Sequence, residues 1–286
     1  MKLDPNADKY FKGILGKTDD ANYEVPSLDC GSNALFSASI CYGIASKRFP
    51  AYTAWMKIGY NAEISTVEEA VWAAGGAYVF PTAEMGMEVV STSVEDDILT
   101  GGAVAGTGVH KMMIYYLDGK YVEKQEEVTL NGQGVVATTA TDIFRINGVR
   151  VTEAGTGGCA AGAISVRHLA DTPLYTQIAI GHTRARTCVY TVPWNKTLYV
   201  TSLAFSSTSG AGKNTVFTTR ANLNDLTGQH GTIFFPFHEV GIEDGAVSII
   251  LEIPTRLPAQ TDLLVVGKGT GAAVCACALR GWLEDC

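Results

Sequence analysis

The side chains best able to do chemistry here are five histidines (His110, His168, His182, His230, His238) and seven cysteines (Cys30, Cys41, Cys159, Cys188, Cys275, Cys277, Cys286). Metal ligation needs them at short recurring intervals such as His-x-x-x-His or Cys-x-x-Cys, and neither interval occurs. His238-Glu239 reads as a loop pair. Cys275 and Cys277 are two apart in an apolar run, which puts both on one face of a strand, packing as small hydrophobes. An odd number of cysteines leaves at least one thiol free, and Cys286 is placed for an intermolecular disulfide. No nucleophile elbow or protease signature is present, so a Cys–His hydrolase site would have to be assembled entirely in space. The sequence therefore assigns no catalytic residue, no cofactor-binding residue, no metal ligand and no cofactor.

Two glycine-rich stretches test for phosphate binding. In Ser209-Gly-Ala-Gly-Lys-Asn-Thr215 a P-loop would need Gly where this chain has Ser207, and Ser or Thr where it has Asn214. Gly101 to Gly108 runs into the β-branched and aromatic segment Val109 to Leu117, which offers no helix N-terminus to a phosphate. Arg145, Arg150, Arg167, Arg184 and Arg186 are candidates for a basic patch, with Arg184 and Arg186 on one face of a strand. In an acidic chain such a patch points to subunit contact. Trp194, between Pro193 and Asn195, sits at a turn, where it either pins a neighbour, stacks on a sugar, or caps the end of a sandwich.

The elements that must carry these residues are strands. Asp118-Gly119, Asn131-Gly132 and Asn147-Gly148 are dipeptides suited to type I′ hairpins, and strand-like runs such as Met112 to Leu117 and Tyr121 to Leu130 flank them, so an antiparallel meander is expected. Ser65 to Ala74 is the one helix candidate, with Ser65 or Thr66 as N-cap, Glu68 and Glu69 in its first turn, and Gly75-Gly76 ending it. Ile249 to Ile253 and Leu263 to Val266 are almost continuously apolar, which predicts cover on both faces. Residues 1–50 have no sustained period and read as an extended arm that orders on contact with a neighbour, or as a partly disordered tail. The Gly-rich junction Glu153 to Gly158 marks a boundary. The expected fold class is mainly β: two antiparallel β-sandwich or barrel-like domains, residues 51–155 and 156–286, with an extended N-terminal arm at 1–50 and one short helix.

Composition narrows the function. At 286 residues the chain is long enough to bury a core without metal or disulfide, and 47% hydrophobic against 17% charged residues lies on the apolar side of normal. A net charge of -8 argues against a nucleic-acid partner, which requires a Lys and Arg footprint. No stretch reaches the length of a membrane span and no signal peptide is evident, so neither a membrane nor a secretory route is expected.

The ordered series Gly106-Thr-Gly-Val109, Tyr116-Leu-Asp-Gly119, Glu127-Val-Thr-Leu-Asn-Gly132, Phe144-Arg-Ile-Asn147, Val151 to Gly155, Tyr190-Thr-Val-Pro193 and Lys196-Thr-Leu-Tyr199 resembles virion structural proteins of tailed bacteriophages. The resemblance implies β-sandwich subunits that decorate heads or build neck, tail or fibre parts as symmetric oligomers, without catalytic residues. It therefore implies a non-enzymatic component made in the host cytoplasm and located in the virion. Its partners would be itself, as a homotrimer, and neighbouring capsid or tail subunits. The alternative is a carbohydrate-binding β-sandwich module for host recognition, with Trp194, Tyr115, Tyr116 or Tyr175 as stacking surfaces.

Overall fold

Strand β11 (Lys196–Ser209) shows how the pattern builds the fold. Leu198 and Val200 point inward, then Leu203, Phe205 and Ser207, so the period of two changes phase at Thr201. In the computed structural model, which describes residues 42–98, 105–210, 212–224 and 233–286, a β-bulge at Thr201 absorbs that phase change. Gly281 lies opposite the bulge, and a Cβ there would collide with the Tyr199 carbonyl.

The four-stranded sheet around β11 has the antiparallel order β1 (Tyr52–Ile64), β16 (Ala273–Asp285), β11, β14 (Gly245–Leu257). A second sheet has the order β10 (Val189–Thr191), β15 (Thr261–Gly269), β12 (Thr215–Leu223), β13 (Phe235–Ile242), and the two-residue β2 (Glu69–Ala70) also pairs with β15. Trp55, Ile64, Leu198, Val200, Leu203, Phe205, Phe217, Val265 and Leu279 are among the residues of the core these sheets share. Phe205 and Phe217 stack with centroids 5.1 Å apart.

A separate core lies within the same compact unit. It is built on the sheet β6 (Val136–Ala137), β3 (Met87–Ser91), β8 (Ile164–His168), β9 (Leu174–Ile178) and the sheet β5 (Glu123–Thr129), β4 (Val109–Leu117), β7 (Arg145–Ala154). Met87, Val89, Met112, Ile114, Ile143, Ile164 and Ile178 fill it. Relative to the boundary expected at 155/156, β8 and β9 from beyond it pair onto β3, and β1 from before it pairs with β16.

The described residues are mainly β, as expected, with a helical turn at 42–45. Most of the expected arm, residues 1–41, lies outside the described residues. Four local expectations need correction. Ser65 to Ala74 is not a helix. Glu69 accepts hydrogen bonds from Ser65 N (3.1 Å), Ser65 Oγ (2.7 Å) and Gly76 N (2.8 Å), and β2 joins β15, so long-range pairing overrides the capping pattern. Asp118-Gly119 opens a longer loop in place of a two-residue turn. There Asp118 accepts from Lys120 N and Val122 N, and Tyr121, not Gly119, takes the left-handed conformation at φ 61°. Asn147-Gly148 is no turn at all: it lies inside β7 at a register shift, and the Asn147 amide clamps the backbone of Thr191 in both directions at 2.8 Å. The fourth concerns β14, whose Ile250 and Ile253 are not covered.

By contrast Leu263 to Val266 is covered on both faces. Leu263 and Val265 enter the sandwich core, while Leu264 and Val266 enter a smaller cluster with Ala70, Trp72, Phe80 and Val189. The two larger cores are pinned together by Arg145 of β7, which forms a bidentate pair with Asp262 of β15 at 2.9 and 3.0 Å. Arg145 also donates to the Pro81 and Phe144 carbonyls and lies 4.0 Å from the Phe144 ring centroid, while Thr191 and Asn224 donate to Asp262. Both charges are almost wholly buried, and every guanidinium nitrogen and both carboxylate oxygens have a hydrogen-bond partner, which is what makes burying them tolerable.

Candidate functional site

The residues singled out in the sequence do not converge. His110 is buried, with Nε2 2.8 Å from the Gly106 carbonyl and Nδ1 3.5 Å from Glu153; His168 accepts from Ala170 N; His182 contacts Arg186; His238 lies parallel to the Phe205 ring. His230, Cys30 and Cys41 lie outside the described residues. Cys188, Cys275 and Cys277 are buried, and burial pushes the Cys275 and Cys277 thiols up, away from the thiolate a nucleophile needs. Cys286 is exposed, 3.1 Å from Thr197 Oγ1. Among the described residues no hydrogen bond joins a cysteine to a histidine, and no three of His, Cys, Asp and Glu are grouped to hold a metal ion. Of the 209–215 stretch, Ser209 ends β11 and Thr215 opens β12, strands that lie in different sheets. Of the proposed stacking residues, Tyr116 and Tyr175 are buried, Tyr115 is half-buried and Trp194 is 54% exposed.

The arginines divide. Arg145 is the buried pin, and Arg167 pairs with Glu88 and Asp171. Arg150 and Arg184 come together beside Lys57 of β1, a residue the sequence had not singled out, while Arg186 stacks on Tyr60.

The feature with the plainest consequence for function is the free edge of the sandwich. Among the described residues, β14 and β13 each close one sheet, with a hydrogen-bonding partner on one side only. Val247, Ile249 and Leu251 of β14 pack on the core, while Ile250 and Ile253 stand 81% and 84% exposed. Ile253 rides on a large bulge: residues 251–254 of β14 oppose the single residue Thr201, because pairing jumps from Ser202↔Ile250 to Val200↔Thr255. Pro254, Glu252 and Arg256 sit at or beside this bulge, the devices that keep an edge from pairing further. Before it, residues 245–250 run regularly and carry no charge. Next to Ile250, on the outer face of the sheet, Ala204, Ser206, Ala246, Ser248, Ala276 and Ala278 line a shallow hollow of about 390 Å³. The hollow exists because these side chains are small.

The sequence matches no family model, and it matches no curated protein. Among solved structures, the chain is similar to the N-terminal CBM22-1-CBM22-2 tandem domain of Xyn10C from Paenibacillus barcinonensis, at 11% identity and a TM-score of 0.23, over 83% of this chain and 94% of that one. It is also similar to a chain of the infectious bursal disease virus Gt strain, at 11% identity and a TM-score of 0.21, over 82% of this chain and 72% of that one. Among the described residues, no helix is long and apolar enough to cross a membrane.

Proposed function

We propose that this chain is a structural subunit of a tailed-phage particle, which assembles with copies of itself as a homotrimer and with neighbouring capsid or tail subunits, and performs no reaction. The observation that carries the reading is the uncharged, regular edge at residues 245–250 with Ile250 and Ile253 beside it. An edge of that kind is a template for a strand from another chain, and exposed isoleucines gain from burial there. A contact between this edge and a different surface of the next copy closes into a ring when the rotation permits, which is how a trimer arises. The test is native mass spectrometry of the purified protein together with a protein inventory of purified particles. A trimeric mass and presence in particles are expected. A strict monomer absent from particles would refute the reading.

A further inference from the structure

The basic cleft is anomalous on electrostatic grounds. In a chain of net charge -8, Lys57, Arg150 and Arg184 line one cleft of about 340 Å³, and among the described residues no Asp or Glu lines it and none of the three takes part in an ion pair. Arg150 and Arg184 face each other directly in an antiparallel bridge, held by Val151 N to Thr183 O at 2.7 Å and Ala185 N to Val149 O at 3.0 Å. Side chains opposed in this way lie close, and like charges there repel. Arg186, two residues on, is stacked 4.0 Å from the Tyr60 ring centroid, and its buried Nε has no hydrogen-bond partner. The Lys57 ammonium donates to the Asn147 carbonyl, and burial lowers its pKa to about 8. Among the described residues, no acidic side chain pairs with the three cations that line the cleft.

The geometry suits one class of ligand. Two guanidinium groups, each able to present a planar fork of N–H donors, match the oxygens of a carboxylate or phosphate, and Lys57 adds a third charge. Tyr115, with the Arg150 guanidinium 5.1 Å from its ring centroid, and Met56 supply apolar wall. The volume falls at the small end of the range for small-molecule sites. We infer that this cleft binds a small oxyanion, a carboxylic acid or phosphate ester no larger than a monosaccharide derivative, between Arg150, Arg184 and Lys57. The site is separate from the assembly edge and does not depend on it.

Isothermal titration calorimetry of the full chain at fixed ionic strength tests this with four probes: inorganic phosphate, glucose 6-phosphate, glucuronate and uncharged glucose. Saturable binding of at least one of the three anions and none of glucose is expected, and the anion arms distinguish free phosphate, phosphate ester and carboxylic acid. Arg150→Gln and Arg184→Gln should each weaken binding roughly tenfold or more, the scale of one charge-assisted hydrogen bond. Both side chains are exposed, so the variants should fold, and without ligand Arg184→Gln should melt no lower than the parent because it removes a like-charge contact. No saturable binding of any anion, or binding that the two variants leave unchanged, would overturn the inference.

Discussion

The two large cores treat exposed apolar surface differently. Around the core built on β3, β4, β7 and β8, the large apolar residues left in water, Val94, Val122, Val135, Leu169 and Ile180, all lie outside strands. In the sandwich they include Met56, Phe235, Ile250, Ile253 and Val274, all within strands. Scattered loop residues need no explanation, because any folded surface is partly apolar; apolar side chains aligned on strands at a sheet edge make a surface shaped for another chain. On the proposed reading, the second region supplies the face that joins other subunits, while the strands of the first keep their large apolar side chains covered.

Severing the two regions gives the largest effect. Asp262→Ala strands the Arg145 guanidinium in a dry site and should lower stability by about 3–5 kcal/mol in denaturant unfolding. The double variant Arg145→Met with Asp262→Leu should lose less than the two single changes summed. A loss confined to one of two separate transitions would show that the cores unfold independently.

Charge at the seam sharpens the comparison through pH. The folded Lys57 titrates at about 8 and the unfolded one near 10.5. Between those values the unfolded chain binds the proton and the folded chain does not, so stability should rise with pH across that window, while the full penalty is present below it. Lys57→Met lacks this dependence. Its stability difference from the parent should therefore shift in the parent's favour as pH rises from about 8 to 10.5, by up to about 3 kcal/mol. Parallel pH curves for the two proteins would contradict the burial of this ammonium.

Inside the closed region, Asp96 tests how far its packing depends on a polar knot. Its buried carboxylate accepts from Ser91 Oγ (2.6 Å), Val109 N (2.7 Å), Ala161 N (2.9 Å) and Gly162 N (2.8 Å). Asn cannot accept on both sides, so Asp96→Asn should cost about 1–3 kcal/mol, read from the melting temperature. Oligomer mass should not change. If it did, the closed region would also be an interface.

Much of this architecture could be read in advance from side-chain type, and the failures have physical causes. β15 and β11 announce themselves by apolar content and alternation. β1 escapes because its inward positions are Trp55, Lys57, Gly59 and Asn61 while its outward ones are Met56, Ile58 and Tyr60, an inverted binary pattern. Gly59 is required where β1 passes close to the Val71 carbonyl and Cys188. The stretch 65–74 carries helix signals that only pairing with β15 overrides, and no local window displays that pairing. At the candidate edge, apolar content was visible at Ile249 to Ile253, but a continuous apolar run looks the same whether it is buried twice or left open. The basic cleft joins residues of β1, β7 and the 183–186 segment, so Lys57 could not be associated with Arg150 and Arg184 from spacing alone.

The central claim is that the β14 edge joins copies of this chain, and the mass of a double variant tests it most directly. Ile250→Ser with Ile253→Ser removes two exposed side chains, so each monomer should keep its stability within about 0.5 kcal/mol. Light scattering after size exclusion should give a trimer for the parent and a monomer for the variant at the same concentration. A variant that keeps the parent's mass, or a parent that is itself monomeric, would contradict the account.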